Sequence, residues 1–430
     1  MQGFETRKAA LSLLTGIMVK GEPLERLLDS DPNLKGLSPR DRSFTRALVS
    51  TTLRHIGSID WTVNTVMDRP LKDTAARPRN ILRLAVAQLF YLNVPDHAAV
   101  DTAVRQAEAH RSSKPFKGLI NAVLRRIIRE RKELEAKANE RGNTPPWLYR
   151  SWQKDWGKRA PEKMAAVHLT GAPLDLSFKD TASVKTWARR LGGKVLPTGS
   201  VRLQEAGPVP EIEGFEAGEW WVQDAAAAIP AMLFDIKPGD RALDLCAAPG
   251  GKTARLAASG AKVTALDKSI SRLERLSENL ARLDLTCEAL AADAGSWTPS
   301  EPFPHVLLDA PCSATGTIRR HPDVPHLKSR KEIEDLTKIQ TRLLDAAADM
   351  TAQGGTLIYC TCSLEKSEGE RQIESFLERH PEFERSPIAI DEVGGEETII
   401  NDRGELRILP FLWSDQGGID GFFAARLTKV

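Results

Sequence analysis

The chain has no C-x-x-C pair and only five cysteines in 430 residues: Cys246, Cys287, Cys312, Cys360 and Cys362. An odd, scattered set of thiols excludes a disulfide framework and argues against a zinc site. Reduced thiols predict a cytoplasmic address. No apolar run approaches the ~18 residues that a membrane helix needs. Ala9–Val19 follows Arg7 and Lys8 in the manner of a signal peptide. It lacks an A-x-A cleavage site and runs into Lys20 and Glu22, so the first helix of the fold is expected there. Internal repeats and low-complexity segments are also missing. Net charge is nearly absent, at +2 from 60 Lys/Arg and 58 Asp/Glu. Its distribution is uneven. Residues 1–145 carry 25 Lys/Arg against 16 Asp/Glu, and the remainder carries 35 against 42. A basic front on a mildly acidic back suggests a polyanionic partner.

Hydrophobic residues make up 41% and charged residues 27% of the chain, an ordinary globular composition with length for several domains. Residues 4–140 read as helices, with Ile81, Leu82, Leu84, Ala85, Leu89 and Leu92 at helical spacing. Ser38 before Pro39 predicts an N-cap followed by proline at the first helical position. Arg125, Arg126, Arg129, Arg131 and Lys132 close the last helix. They suit a solvated face as well as a phosphate-contacting patch. Gly142–Pro146 reads as a linker and Trp147–Gly157 as a short aromatic helix. Short strand-like pieces around 175–215, with a helix near Val184–Leu191, predict a small α+β subdomain. After 235, apolar runs alternate with helices: Ala242–Cys246, Lys262–Leu266, Thr286–Ala291, His305–Leu308 and Thr356–Thr361. That alternation predicts a doubly wound parallel sheet, with ligands beyond the carboxyl ends of its strands. Asp267, Asp293, Asp309 and Cys362 stand at such ends.

Asp244–Thr253 places a Gly-rich turn between a strand and a helix. It is not a P-loop, because Cys246 stands where the first glycine must be. It is not a G-x-G-x-x-G dinucleotide turn either. What remains is a cofactor without a pyrophosphate, such as S-adenosylmethionine, whose amino-acid end could approach Gly250 and Gly251. Asp267, 23 residues after Asp244, can accept ribose hydroxyls. Asp293 can accept an adenine amine. Each acid alone reads equally well as a helix N-cap. Cys312 and Cys362 follow neighbouring candidate strands, and two thiols beside an adenosyl site suggest covalent catalysis. Cys246 and Cys287 read as buried small hydrophobes. C5 of cytosine is a poor nucleophile. A thiolate adding to C6 activates it, and Asp309 could hold the Watson–Crick edge if it carries a proton.

These motifs resemble the RNA (cytosine-5) methyltransferases of the RsmB/Sun/Fmu branch. The resemblance rests on Asp244–Thr253, Asp309–Ser313, Gly316–Asp323, and Tyr359–Ser363 followed by Glu365 and Glu368. Gln223–Ala227, Ile408–Pro410 and Asp420–Phe423 also match, and Asn121–Arg126 resembles the NusB-like RNA-binding domain of that branch. The resemblance implies a NusB-like helical domain over 1–142, a small α+β subdomain over 143–217 and a Rossmann-like catalytic domain over 218–430. It implies Cys362 as nucleophile and Cys312 as the residue assisting product release; the base chemistry above adds Asp309 as a further catalytic group. It implies S-adenosylmethionine contacts at Cys246, Ala247, Ala248, Pro249, Gly250, Gly251, Lys252, Asp267, Asp293 and Asp309. The implied partner is 16S ribosomal RNA. No metal and no membrane are expected, and the chain is expected to be a monomer. Ala292 replaces a customary glycine, and Cys360 adds a thiol two residues before Cys362, on the same strand face. A related enzyme acting on transfer RNA or another ribosomal site is one alternative. A non-catalytic NusB-like RNA-binding protein is the other.

Overall fold

The computed structural model describes residues 2–137 and 140–430. They divide into two compact units, one running up to Leu169 and taking in Arg320–Lys328, the other holding Thr170–Arg319 and Ser329–Val430.

The first unit is helical. Its elements are α1 (Gln2–Lys20), α2 (Leu24–Ser30), α3 (Pro39–Arg54), α4 (Ile56–Thr65) and α5 (Ala76–Phe90), then α6 (Asp96–Glu108), α7 (Lys117–Arg129), α8 (Arg131–Lys137), α9 (Pro146–Trp156) and α10 (Ala160–His168). On α1 the fully buried residues Ala9, Ala10, Leu13, Leu14 and Ile17 recur at helical spacing and make one core-facing stripe. Ser38 caps α3 as expected. Its hydroxyl accepts the Asp41 amide at 3.2 Å and donates to the Asp41 carboxylate at 2.7 Å, with Pro39 at the first helical position.

The stretch expected to be a linker at 142–146 is packed instead. Asn143 donates to the Ser58 hydroxyl at 3.0 Å and accepts the Ser58 amide at 3.0 Å. A Cβ on Gly57 would fall 1.5 Å from the Gly142 carbonyl oxygen. The two glycines allow this close backbone approach, Pro146 opens α9, and the chain continues into α10 within the same unit. Arg320–Lys328 belongs to this unit despite its distance in sequence. The Asp323 carboxylate is buried and accepts the Leu24 amide at 2.9 Å. That bond caps α2, whose own Pro23 offers no side-chain cap. Leu327 packs against the helical core.

The second unit opens with β1 (Leu174–Phe178), α11 (Val184–Leu191), β2 (Lys194–Val195), β3 (Val201–Leu203) and β4 (Trp220–Val222). These strands form an antiparallel sheet in the order β2-β3-β1-β4; with α11 they make an α+β part that starts after α10 rather than at 143 and takes in β4 beyond 217. Then come α12 (Ala225–Ala228), β5 (Arg241–Leu245), α13 (Gly251–Ala258), β6 (Lys262–Asp267), α14 (Ile270–Arg282), β7 (Glu288–Ala291) and β8 (Phe303–Asp309). After the short helix α15 (Val324–Leu327), which belongs to the helical unit, follow α16 (Arg330–Met350), β9 (Thr351–Thr361), α17 (Glu370–Arg379), β10 (Phe383–Arg385), β11 (Leu406–Ile408) and β12 (Phe422–Lys429). The large sheet runs β10-β12-β9-β8-β5-β6-β7, with β11 on β12. The five strands from β9 to β7 are parallel, as the alternating runs predict. The last three are not. β12 pairs antiparallel with β9, β10 and β11, so the sheet is mixed. Leu243 and Val306–Leu308 are fully buried, as strands covered on both faces require.

Candidate active site

All the expected site residues fall in the second unit, around the carboxyl ends of β5, β6, β7, β8 and β9. After β5 the chain turns through Cys246 at φ 62 and Gly250 at φ 101 before entering α13. A side chain at Gly250 would be strained by that dihedral, and its Cβ would lie 2.9 Å from Leu276 Cγ. Asp267, at the end of β6, braces this turn. One oxygen accepts the Ala248 amide at 3.3 Å and lies 3.2 Å from Arg272, while the other accepts the Ser269 amide at 3.0 Å. Arg272 also donates to the Ala248 carbonyl. Asp293 lies in the turn after β7. It accepts the Gly295 amide at 2.9 Å and faces Lys268 at 3.0 Å and Arg342 at 3.3 Å. Those contacts hold its carboxyl below the usual range, the Gly295 bond most and Lys268 next. Burial pushes the Cys246 thiol up to about 12, which suits a packing role rather than a reactive one.

Lys252 reaches Asp309 at the end of β8, with 2.7 Å between Nζ and Oδ2, so two of the expected cofactor contacts pair with each other. Its ammonium also lies 5.2 Å from the Phe422 ring centre. Lys252 is raised above its ordinary value: burial opposes this most, and the attraction of Asp309, Cys360 and Cys362 together outweighs it. Cys360 is fully buried and donates to the other Asp309 oxygen at 3.5 Å. Cys312 and Cys362 meet sulfur to sulfur at 3.5 Å, both partly exposed. Cys312 is pushed well above the ordinary thiol range, first by its hydrogen bond to Cys362 and then by burial. Cys312 therefore stays a neutral thiol, able to donate across the gap.

Sequence reasoning did not find what lies under these sulfurs. The Glu368 carboxylate, in the turn before α17, is fully buried among Ser313, Ser363 and Gln340. The motif Glu365/Glu368 was the signal, but nothing in spacing alone says that a glutamate in a polar turn points inward. Asp244 is likewise fully buried. Thr253 donates to one of its oxygens at 2.6 Å, and the other has no hydrogen-bond partner among the described residues.

Burial pushes Asp244 up to about 7, opposed by the Thr253 bond and assisted by Asp309. Its folded pKa therefore exceeds the unfolded value of about 4, so the native state binds more protons between those limits. The stability contributed by neutral Asp244 is lost as pH rises through that window. Asp244→Asn has no charge to develop there. Its melting temperature relative to the parent should be higher at pH 8 than at pH 5. A difference independent of pH would show that Asp244 does not titrate in this range.

Among the described residues no cluster of His, Cys, Asp and Glu could hold a metal ion, and no helix is long and apolar enough to cross a membrane.

Residues 231–428 match the family described as 16S rRNA methyltransferase RsmB/F, and residues 5–129 match the NusB family. The chain is 34% identical to ribosomal RNA small subunit methyltransferase B of Shigella flexneri, over 98% of each chain. It is 33% identical to the protein of that name from Escherichia coli O157:H7, again over 98% of each. The solved structure of a methyltransferase homolog from Pyrococcus horikoshii is 25% identical, with a TM-score of 0.55. It covers 66% of this chain and 100% of its own. Another solved chain, at 23% identity, shares the fold over 99% of this chain and 98% of its own, with a TM-score of 0.77. The chain thus belongs to the RsmB/Sun family of ribosomal RNA methyltransferases, with a NusB-family helical region ahead of a Rossmann-like catalytic fold.

Proposed function

We propose that the protein methylates C5 of a cytosine in 16S ribosomal RNA, through a covalent bond between Cys362 Sγ and C6 of the base. The observation that carries this reading is the 3.5 Å approach of Cys312 and Cys362 beside the Asp309–Lys252 pair. Addition of Cys362 to C6 pushes electron density toward C5 and N3, making C5 nucleophilic. After methylation a water molecule takes the C5 proton and the C6–S bond breaks, its electron pair returning to sulfur and restoring the aromatic base. Cys312, held as a thiol, is the proton donor nearest the departing sulfur. Both Asp309 oxygens act as acceptors, which suits the exocyclic amine of cytosine. N3 needs a donor, and the Lys252 ammonium stands next to Asp309.

S-adenosylmethionine, when bound, supplies an electrophilic methyl group. The chemistry of the acceptors fits it: Asp267 keeps one lone pair, on the oxygen that accepts Ser269, for a ribose hydroxyl, and Asp293 would offer its carboxylate to the adenine amine. The Cys246–Lys252 turn would face its amino-acid end. Mapping of 5-methylcytosine in total RNA, with and without the gene, tests the whole reading. Loss of a single mark from 16S rRNA is expected. Loss from transfer RNA or from another ribosomal position would reassign the substrate, and no loss at all would overturn the chemistry.

The proposal gives residues 1–142 the task of gripping RNA. Of the basic residues closing α7 and opening α8, Arg126 donates to the Val66 carbonyl and to Glu130. Arg131 pairs with Glu135. Arg125 and Arg129 are exposed one helical turn apart. Neutralising Arg125, Arg126, Arg129 and Arg131 together should therefore release fewer than four phosphates. Each phosphate released should flatten the slope of log affinity against log salt by roughly 0.7–0.9. Arg125 and Arg129 alone should account for most of the change. A salt titration of RNA binding checks this, and equal slopes would show a merely solvated face.

A further inference from the structure

Glu368 is 0% exposed and lies beneath both sulfur-bearing loops. Its Oε1 accepts the Ser313 amide at 2.9 Å and Gln340 Nε2 at 2.9 Å. Its Oε2 accepts the Ser363 hydroxyl at 2.5 Å and also the Ser313 hydroxyl. Gln340 in turn donates to the Pro311 carbonyl at 2.9 Å. Cys312 is thus held on both sides, through Pro311 and Ser313, while Cys362 is held through Ser363. Four acceptor positions meet four donors, the full capacity of a carboxylate. A buried carboxylate is costly unless satisfied in this way. Burying one here, between two residues that each follow a cysteine, fixes the two loops relative to one another.

We infer that Glu368 is the positioning residue that sets the separation of Cys312 and Cys362, acting through Ser313 and Ser363 without touching substrate. The inference rests on the proposed role of those two thiols. Glu368→Ala should let the loops part. Glu368→Gln should largely rescue, because an amide oxygen can still accept from Ser313 and Gln340 while the two hydroxyls accept from its NH2 group.

The test uses the full chain and phenylarsine oxide, whose arsenic(III) bridges two neighbouring thiols. Two As–S bonds form, and the oxygen leaves as water with the two thiol protons, with no change of oxidation state. The parent should bind one equivalent tightly, and Cys312→Ala should abolish that binding. Glu368→Ala should weaken capture by at least about tenfold and lower kcat by about 10²-fold, the usual cost of a misplacement of about 1 Å. KM for RNA and for the methyl donor should not move. A folded Glu368→Ala that captures the arsenical and turns over like the parent would overturn the inference. If that variant does not fold, Ser363→Ala removes one arm of the clamp and is read the same way, unchanged capture again overturning it. Weakened capture, with no methylation of any RNA by the parent, would leave the clamp standing and overturn only the function it serves.

Discussion

Replacing Cys362 by serine should reduce methyl transfer by at least about 10⁴-fold, on the scale seen when an enzyme loses its nucleophile. A serine hydroxyl keeps the size and loses the acidity. Among the described residues, the group within hydrogen-bond distance of the Cys362 sulfur is the Cys312 sulfur, at 3.5 Å, and a neutral thiol is no base for a hydroxyl. Methyl donor affinity should survive, because Asp267 and the Cys246–Lys252 turn are untouched. Cys312→Ala should behave differently in kind. If Cys312 returns a proton during release, its loss should trap the enzyme as a protein–RNA adduct through Cys362. A shifted band on a denaturing gel, absent from the double variant, is the expected sign. Substantial turnover by Cys362→Ser would sink the nucleophile assignment. Normal turnover without an adduct in Cys312→Ala would reduce Cys312 to a packing role.

Arg319→Leu should cost about 3–5 kcal/mol, the penalty for removing one partner of a buried ion pair. Arg319 is fully buried, 2.8 Å from Asp224 and 3.5 Å from Asp420, and also donates to the Gly417 carbonyl. Beside it Arg202, also buried, grips Asp175 with two bonds of 2.7 Å and donates to the Gly418 carbonyl at 2.6 Å. Asp175 accepts the Ala225 amide at 3.1 Å, and Asp224 accepts the Ala226 amide at 2.9 Å. Two guanidinium groups thereby tie the small sheet, the start of α12, the segment after Cys312 and the loop before β12. Leucine takes the shared cation away from two buried carboxylates. The melting temperature should fall by roughly 6–20 °C, and lysine should restore only part, since it keeps the charge without the fork. A shift of under about 2 °C would show that the acids relax into other partnerships.

The five parallel strands and the helices between them were legible because runs such as Ala242–Cys246 and His305–Leu308 must be apolar when buried on both faces. Asp267, Asp309, Cys312 and Cys362 were legible as strand-end residues. The antiparallel entry of β12 was not, since hydrophobic pattern carries no strand direction. The partner of Lys252 was not, because a lysine in a Gly-rich turn suggests a ligand and says nothing about a carboxylate 57 positions away. Gly316 and Gly421 were visible only as parts of motifs. The structure supplies the reason: a Cβ on Gly316 would fall 1.9 Å from the Gly421 carbonyl oxygen, where two backbones touch. Such close approaches are set by tertiary packing, which no local window contains.

The Asp323 cap on Leu24 has a consequence for the order of synthesis. The helical unit is built from two pieces of chain, and about 150 residues separate the end of the first, Leu169, from the start of the second, Arg320. At ribosomal speeds of ~5–20 residues per second, that gap lasts roughly 8–30 s. During it the Leu24 amide has yet to meet its acceptor, and the seat of Leu327 on the core lies open. The helical unit therefore emerges from the ribosome first but is completed only after β8 and the Cys312 loop have been translated.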